Sequence, residues 1–185
     1  MQRVGYYSHF YEKFSDDVSA QVRRETFGDE DIGQNSWLTA SEFGRFLSQL
    51  NLQADQHVLE VACGSGGPDL FLADMFGCRV TGIDSNANGI ATAKQLAAAA
   101  GLSARVQFQI ADANQPLPFE AETFDALVCI DAINHLADRA RVLQDWQRVL
   151  KPGARLLFID PIVVTGAISN EEMAVRSSIG FFLFV

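Results

Sequence analysis

From residue 57 onward, short apolar runs rich in β-branched residues alternate with longer segments in which apolar residues recur at helical spacing. The short runs predict five strands, over residues 58–62, 79–83, 106–110, 126–130 and 155–159. Helices are predicted over residues 70–75, 86–100 and 136–150. Strands that alternate with helices indicate an α/β fold, a doubly wound parallel sheet with helices on both faces.

Residues 1–52 show a different pattern and are expected to form an N-terminal helical cap. Phe10, Phe14 and Val18 recur at near-helical spacing and predict one amphipathic helix, and a second is predicted over residues 37–50, beginning at Trp37. The aromatic side chains of the first segment either pack on the domain or form a lid that lines an acceptor pocket. Both interpretations stay open at this point.

The core domain is expected over residues 53–164, and residues 165–185 are expected to start an incomplete C-terminal element. This last segment ends on a strongly apolar run, residues 177–185. Because an exposed apolar surface of this kind needs a cover, a homo-oligomer formed through it is one expectation.

Composition excludes several classes of function. The net charge of −9 repels phosphate backbones and anionic membrane surfaces, so we expect neither nucleic-acid binding nor membrane binding. No apolar run reaches the ~20 residues that span a bilayer, and the N-terminus lacks a signal-type segment, so a cytoplasmic location is expected. The three cysteines are odd in number and far apart, which predicts buried thiols rather than disulfides or a metal site.

A glycine-rich turn at residues 63–67 separates the first strand from the next helix. Glycines let the backbone approach a ligand closely, and the helix that follows directs its unpaired N–H groups to the same place. Ligands in open α/β sheets bind at the carboxyl ends of the strands, where this chain also places Asp84, Asp112 and residues 129–131. One site could therefore collect all of these residues.

Charge favours one class of ligand for this turn. Asp84 follows Gly64 by 20 residues, a spacing that suits ribose recognition in either a dinucleotide or an adenosyl cofactor. The dinucleotide fingerprint would place its third glycine at position 69, where Asp69 would face a pyrophosphate with a carboxylate. Glu60, Asp84 and Asp112 instead suit S-adenosylmethionine, whose net charge is about +1.

Five segments in order along residues 57–160 resemble the class I S-adenosylmethionine-dependent methyltransferases. They are residues 58–67, 80–85, 111–113, 124–129 and 150–154. The chain is most similar to the small-molecule branch of that family, which includes ubiquinone, sterol, sarcosine-type and phosphoethanolamine methyltransferases. The resemblance implies a Rossmann-like core that transfers a methyl group to a small-molecule acceptor by in-line displacement and releases S-adenosylhomocysteine.

The resemblance also implies roles for single residues at this cofactor site. The turn supports the methionine part with Glu60 near it, Asp84 holds the ribose hydroxyls and Ser85 lies against the adenosine. Asp112 accepts from the adenine amino group, and Ala113 donates its backbone N–H. The full set of implied cofactor residues is Glu60, Ala62, Cys63, Gly64, Ser65, Gly66, Asp84, Ser85, Ala111, Asp112, Ala113 and Cys129, the last on the methionine side.

His135 is the best-placed candidate for a catalytic base, because it follows the fourth strand directly. An amine or hydroxyl acceptor could require such a base. The alternative is that His135 is only a first-turn residue of the next helix.

The end of the chain departs from the family pattern, which usually continues after the fifth strand with further helices and an antiparallel hairpin. That C-terminal hairpin is missing here, so a shortened form of the protein is expected. Two other functions stay open: a nicotinamide-dependent oxidoreductase, and a truncated cofactor-binding domain without turnover. The acceptor, the atom methylated and the oligomeric state are not specified by the sequence.

Overall fold

The computed structural model describes residues 11–14, 16–34 and 36–160, together with residues 162, 163, 169, 171, 183 and 184. The helices are α1 (Asp17–Phe27), α2 (Ala40–Leu47), α3 (Gly67–Phe76), α4 (Ala87–Ala99) and α5 (Arg139–Val149). The main strands are β1 (His57–Val61), β2 (Arg79–Asp84), β3 (Val106–Ile110), β4 (Phe124–Ile130) and β5 (Leu150–Ile159). Two short strands, β6 (Ile162–Val163) and β7 (Leu183–Phe184), pair with each other in parallel.

The five main strands form one parallel sheet in the order β3-β2-β1-β4-β5, which confirms the predicted sheet. The chain runs outward from β1 to β3 and then returns to the other side of β1. The strand order therefore reverses between β1 and β4, and a crevice opens there at the carboxyl ends of the strands.

Hydrophobic clusters cover both faces of this sheet. Along β1, Val58 belongs to a cluster with Leu72 of α3 and Ala93 of α4. Leu59, the next residue, belongs to a second cluster with Trp146 of α5. Because successive strand side chains point to opposite faces, helices lie on both sides of the sheet, as predicted.

The first predicted helix is not one continuous helix over the described residues: Tyr11 and Glu12 are helical, residues 13 and 14 form a turn, and α1 follows. Asp16 caps α1 by accepting the backbone N–H of Ser19 at 2.7 Å, so the helix begins only at Asp17. Phe14 is buried ahead of the helix and Val18 is 70% exposed on it, so these two side chains share no apolar stripe. Phe10 lies outside the described residues.

Two further helices begin later than predicted because a capping residue sets the start. Thr39 and Glu42 form a reciprocal capping box, so α2 begins at Ala40 and leaves Trp37 87% exposed. Asp138 accepts the N–H of Arg141 and starts α5 at Arg139. The preceding Ile133–His135 segment is a separate 3-10 turn.

The fifth strand begins earlier than predicted. Leu150 pairs with Phe124, and after a register shift Arg155 pairs with Ala126. Residues 151–153 therefore belong to the strand, and α5 ends at Val149. The predictions about the C-terminal hairpin, the apolar end and the element over 165–185 concern residues that largely lie outside the described ones.

Within the described residues, no helix is long and apolar enough to cross a membrane. All three cysteines are buried free thiols, as predicted.

Candidate functional site

A cavity of about 530 Å³ lies at the carboxyl ends of the strands, where the strand order reverses. Its walls are the glycine turn after β1, the residues that follow β2, β3 and β4, and parts of the segment before α2. Four carboxyl groups line it, those of Glu60, Asp84, Asp112 and Asp131, and its described lining includes no lysine or arginine.

The cavity brings together most of the residues predicted for the site. Those that line it are Glu60, Ala62, Cys63, Gly64, Ser65, Asp84, Ser85, Ala111, Asp112, Ala113 and His135. Gly66 and Cys129 are not among the lining residues.

The position of Cys129 corrects one prediction. Cys129 pairs with Val61 in the sheet, and both side chains belong to the cluster packed against α5. Its thiol is fully buried there, and Ile130 lines the cavity in its place. Gly66 instead forms the base of the turn, where a Cβ would come within 2.5 Å of Phe108 Cζ.

Asp84 ties the glycine turn to the end of β2. Its Oδ2 accepts the backbone N–H of Gly64 at 2.9 Å, and its Oδ1 accepts that of Asn86 at 2.8 Å. Burial raises the pKa of Asp84, and these backbone hydrogen bonds oppose the rise. Each carboxylate oxygen has a second lone-pair direction, so the side chain can still accept hydrogen bonds from a ligand's hydroxyl groups.

Asp112 lies on the exposed rim of the cavity, after β3. Its Oδ1 accepts the backbone N–H of Asn114 at 2.9 Å and the side-chain amide at 3.2 Å. Its second oxygen is in none of these contacts, and Ala111 and Ala113 line the cavity on either side. The rim therefore offers carboxylate and backbone groups to a ligand at one place.

Glu60 lies at the inner end of the cavity and is only 2% exposed. Burial raises its pKa to about 8. Asp69, in the first turn of α3, is fully buried beside it, and both burial and the neighbouring Glu60 raise the pKa of Asp69 well above its usual value. Asp69 does not line the cavity, so its carboxyl group lies behind the cavity wall.

Residues on both sides of α1 cover the glycine turn. Tyr11 is buried against Gly64, where a Cβ would come within 2.6 Å of its Oη. The Ser65 hydroxyl donates to the Gly33 carbonyl at 3.4 Å. Helix α1, in contrast, buries none of its own side chains. The cap therefore contacts the site mainly through the segments on either side of α1.

The loop after β4 forms the opposite wall. Asp131 has a left-handed backbone with φ of 49°, and the Ser36 hydroxyl and the Trp37 N–H lie near its carboxylate. Burial and the nearby Asp160 carboxylate raise the pKa of Asp131. His135 lines the cavity at the end of the 3-10 turn and is half-buried. It is therefore not part of α5, contrary to the alternative interpretation.

Several lining residues were not predicted as site residues. Tyr11, Gln34, Ser36 and Asp131 all face the cavity. Residues 129–131 were expected at this end of the sheet from the sequence, although no role was assigned to Asp131. The other three come from the cap, whose packing on the sheet has no local sequence signal.

The family model described as "Methyltransferase domain" matches residues 59–158, which is more than half of the chain and contains the sheet and the turn. The chain belongs to this methyltransferase domain family. The methyltransferase GfsG of Streptomyces halstedii is 37% identical over 131 residues, which cover 71% of this chain and 46% of that protein. Phosphoethanolamine N-methyltransferase 1 of Triticum aestivum is 31% identical over 178 residues, which cover 94% of this chain and 34% of that protein.

A solved structure extends the likeness of fold to almost the whole chain. Phosphoethanolamine N-methyltransferase 2 of Haemonchus contortus, in complex with S-adenosyl-L-methionine, matches with a TM-score of 0.73 and 24% identity. The match covers 95% of this chain and 40% of that chain. This chain thus spans less than half the length of the two methyltransferases compared above.

Proposed function

We propose that this methyltransferase domain binds S-adenosylmethionine in the cavity and transfers its methyl group to a small-molecule acceptor. The observation that carries the proposal is the chemistry of the cavity wall. Four carboxyl groups line the cavity, and one of them, the buried Glu60, has an Oε2 without a hydrogen-bond partner among the described residues. The described lining includes no lysine or arginine. Such a wall favours a cationic ligand over a pyrophosphate.

The residues present fit this cofactor. The turn Ala62, Cys63, Gly64, Ser65 and Gly66 would hold the methionine part next to Glu60. Asp84 would accept from the ribose hydroxyls and Ser85 would contact the adenosine. Asp112, with Ala111 and Ala113 beside it, would hold the adenine. When bound, the cofactor supplies a methyl group on a sulfonium, and the chain's task is to align the acceptor and exclude water.

His135 is the candidate catalytic base on the acceptor side. It lines the cavity on the wall formed by the loop after β4, in the same wall as Asp131. A neutral imidazole there would take the proton of an amine or hydroxyl acceptor as the bond to the methyl group forms. The neighbouring carboxylate favours an acceptor that is neutral or positively charged.

The cap would close the site. Tyr11 and Ser36 bring cap residues to both walls of the cavity, which supports the interpretation of residues 1–52 as a cap that lines the acceptor pocket. We place the cofactor-binding core at residues 53–164. A cytoplasmic location and self-association through the apolar run at residues 177–185, within the C-terminal segment 165–185, are part of the same proposal.

The test of cofactor class is calorimetric titration with S-adenosylmethionine, S-adenosylhomocysteine and NAD. We expect binding of both adenosyl ligands. Binding of NAD with no response to either adenosyl ligand would contradict the proposal and support a nicotinamide-dependent oxidoreductase instead. Family membership already decides against that alternative.

Turnover is tested separately, with the full-length protein and a panel of amine and hydroxyl acceptors. Phosphoethanolamine belongs in the panel because relatives that carry its name match this chain. Methylated product that disappears in His135→Ala, with S-adenosylhomocysteine binding unchanged, would support the catalytic role. Cofactor binding with no product from any acceptor would favour a binding domain without turnover.

A further inference from the structure

The carboxyl group of Asp69, on α3, lies behind the cavity, over the neighbouring strands β1, β2 and β3. Glu60 of β1 pairs with Gly82 of β2, and Phe108 of β3 is next along the same row of the sheet. Asp69 of α3 lies over this row, and a Cβ at Gly82 would come within 2.7 Å of its Oδ1. The missing side chain at Gly82 therefore makes room for the carboxyl group of Asp69.

The oxygens of this pair lack donors. Glu60 Oε2 and both oxygens of Asp69 are buried without a hydrogen-bond partner among the described residues. An ionised carboxylate without donors is costly to bury. A contact between two carboxyl groups is a hydrogen bond only if one of them carries a proton, because ionised carboxylates only accept.

The described surroundings provide no positive charge to compensate. The ionisable groups that act on the pair are Cys63 in the turn, Asp84 at the end of β2 and Cys129 on β4, together with the two carboxyls themselves. All are neutral or negative. Among the described groups, a shared proton is what can reduce the charge of the pair from two negative charges to one.

We propose that Glu60 and Asp69 share one proton in the ligand-free protein and release it to solvent when a cationic ligand group binds at Glu60. Asp69 is then a positioning residue that sets the charge of Glu60 from behind the site. The step breaks one carboxyl O–H bond, the electron pair stays on oxygen and the proton passes to the buffer. The inference rests on the proposed cofactor, whose methionine part carries an ammonium group.

The linkage between proton release and ligand binding gives the expected size of the change in affinity with pH. If one proton leaves on binding, affinity rises by about tenfold per pH unit while the free pair is still protonated. Glu60, with a pKa of about 8, places this rise below pH 8. S-adenosylhomocysteine is the suitable probe, because it retains the ammonium group and supports no turnover.

The experiment is calorimetric titration with S-adenosylhomocysteine between pH 6 and 8, in buffers of different ionisation enthalpy. The wild-type protein should release close to one proton and bind about tenfold more tightly per pH unit. Asp69→Asn should release much less, because an amide can donate to Glu60 and keep it ionised. Asp74→Asn, an exposed change on the same helix, should behave like wild type.

Two results would overturn the inference: ligand binding by wild type without proton release, or the same proton release in Asp69→Asn as in wild type. Infrared spectroscopy of the wild-type protein gives a second test that needs no variant. The ligand-free protein should show the carbonyl band of a protonated, buried carboxylic acid, and the ligand should remove it. Absence of that band refutes the pair. If the band is present but S-adenosylhomocysteine does not bind, the proposed cofactor fails and the shared proton stands.

Discussion

Replacement of Asp84 by alanine tests the site most directly, because this carboxylate has a structural and a ligand-binding role. The substitution leaves the N–H groups of Gly64 and Asn86 without their acceptor. An unpaired buried N–H costs about 1–3 kcal/mol, so the loss of two acceptors should lower the free energy of unfolding by about 2–6 kcal/mol. Loss of the contact to the ribose should weaken adenosyl-ligand binding by about 1–3 kcal/mol, roughly 5- to 150-fold.

The assay combines urea unfolding with calorimetric titration of S-adenosylhomocysteine. Asp112→Ala is the matched control, since that carboxylate is exposed and, among the described residues, its hydrogen bonds come from Asn114. The control should lose affinity but change the free energy of unfolding by less than about 0.5 kcal/mol. A folded Asp84→Ala protein with wild-type affinity would refute the assigned role. Wild-type stability of Asp84→Ala would refute the role of Asp84 in linking the glycine turn to β2.

Three other predictions concern the packing of the domain. Gly82→Ala should destabilise the protein by about 1–3 kcal/mol in chemical denaturation, because the added Cβ would overlap Phe108 and Asp69. Gly44→Ala on α2 is the control and should be neutral or stabilising, because its Cβ would make ordinary contacts to Met75. Equal effects of the two substitutions would contradict the tight packing at Gly82. Trp146→Phe removes a buried N–H that has no acceptor among the described residues. Its loss of stability in chemical denaturation should therefore be smaller than the about 3–5 kcal/mol expected for removal of the whole ring. Burial lowers the pKa of His57, so its contribution to stability is present above about pH 6.5 and is lost as the pH falls; an unchanged slope of stability against pH in His57→Gln would contradict this.

The sheet was predictable from the sequence because hydrophobic periodicity is a local property. The five strands, their parallel pairing and the glycine turn followed from it, and so did the grouping of Asp84, Asp112 and His135 at one edge. The starts of the helices were less predictable. Single capping side chains set them, and at α1 the acceptor on Asp16 outweighs the apolar spacing of Phe14 and Val18.

Errors within the site have other physical causes. Cys129 was assigned to the cavity from its motif, although the two-residue alternation along β4 directs it into the core next to Val61. Asp69 occupies the place of the third glycine in the dinucleotide fingerprint, where it would face a pyrophosphate, but the structure buries it behind the cavity. Its burial depends on the missing side chain at Gly82 in the next element, β2, and no local pattern shows that.

Helix α1 gives the cap a dynamic property that differs from that of the core. The helix buries none of its side chains and is held by Arg23, which donates to the Phe14 carbonyl at 2.8 Å and stacks its guanidinium over the Phe14 ring. Its opening therefore exposes little apolar surface and requires a small part of the global unfolding free energy. Amide hydrogens of α1 should exchange with solvent much faster than those of β1. Helix α1, which adds no residue to the described lining of the cavity, can thus open and close many times within the lifetime of the folded sheet.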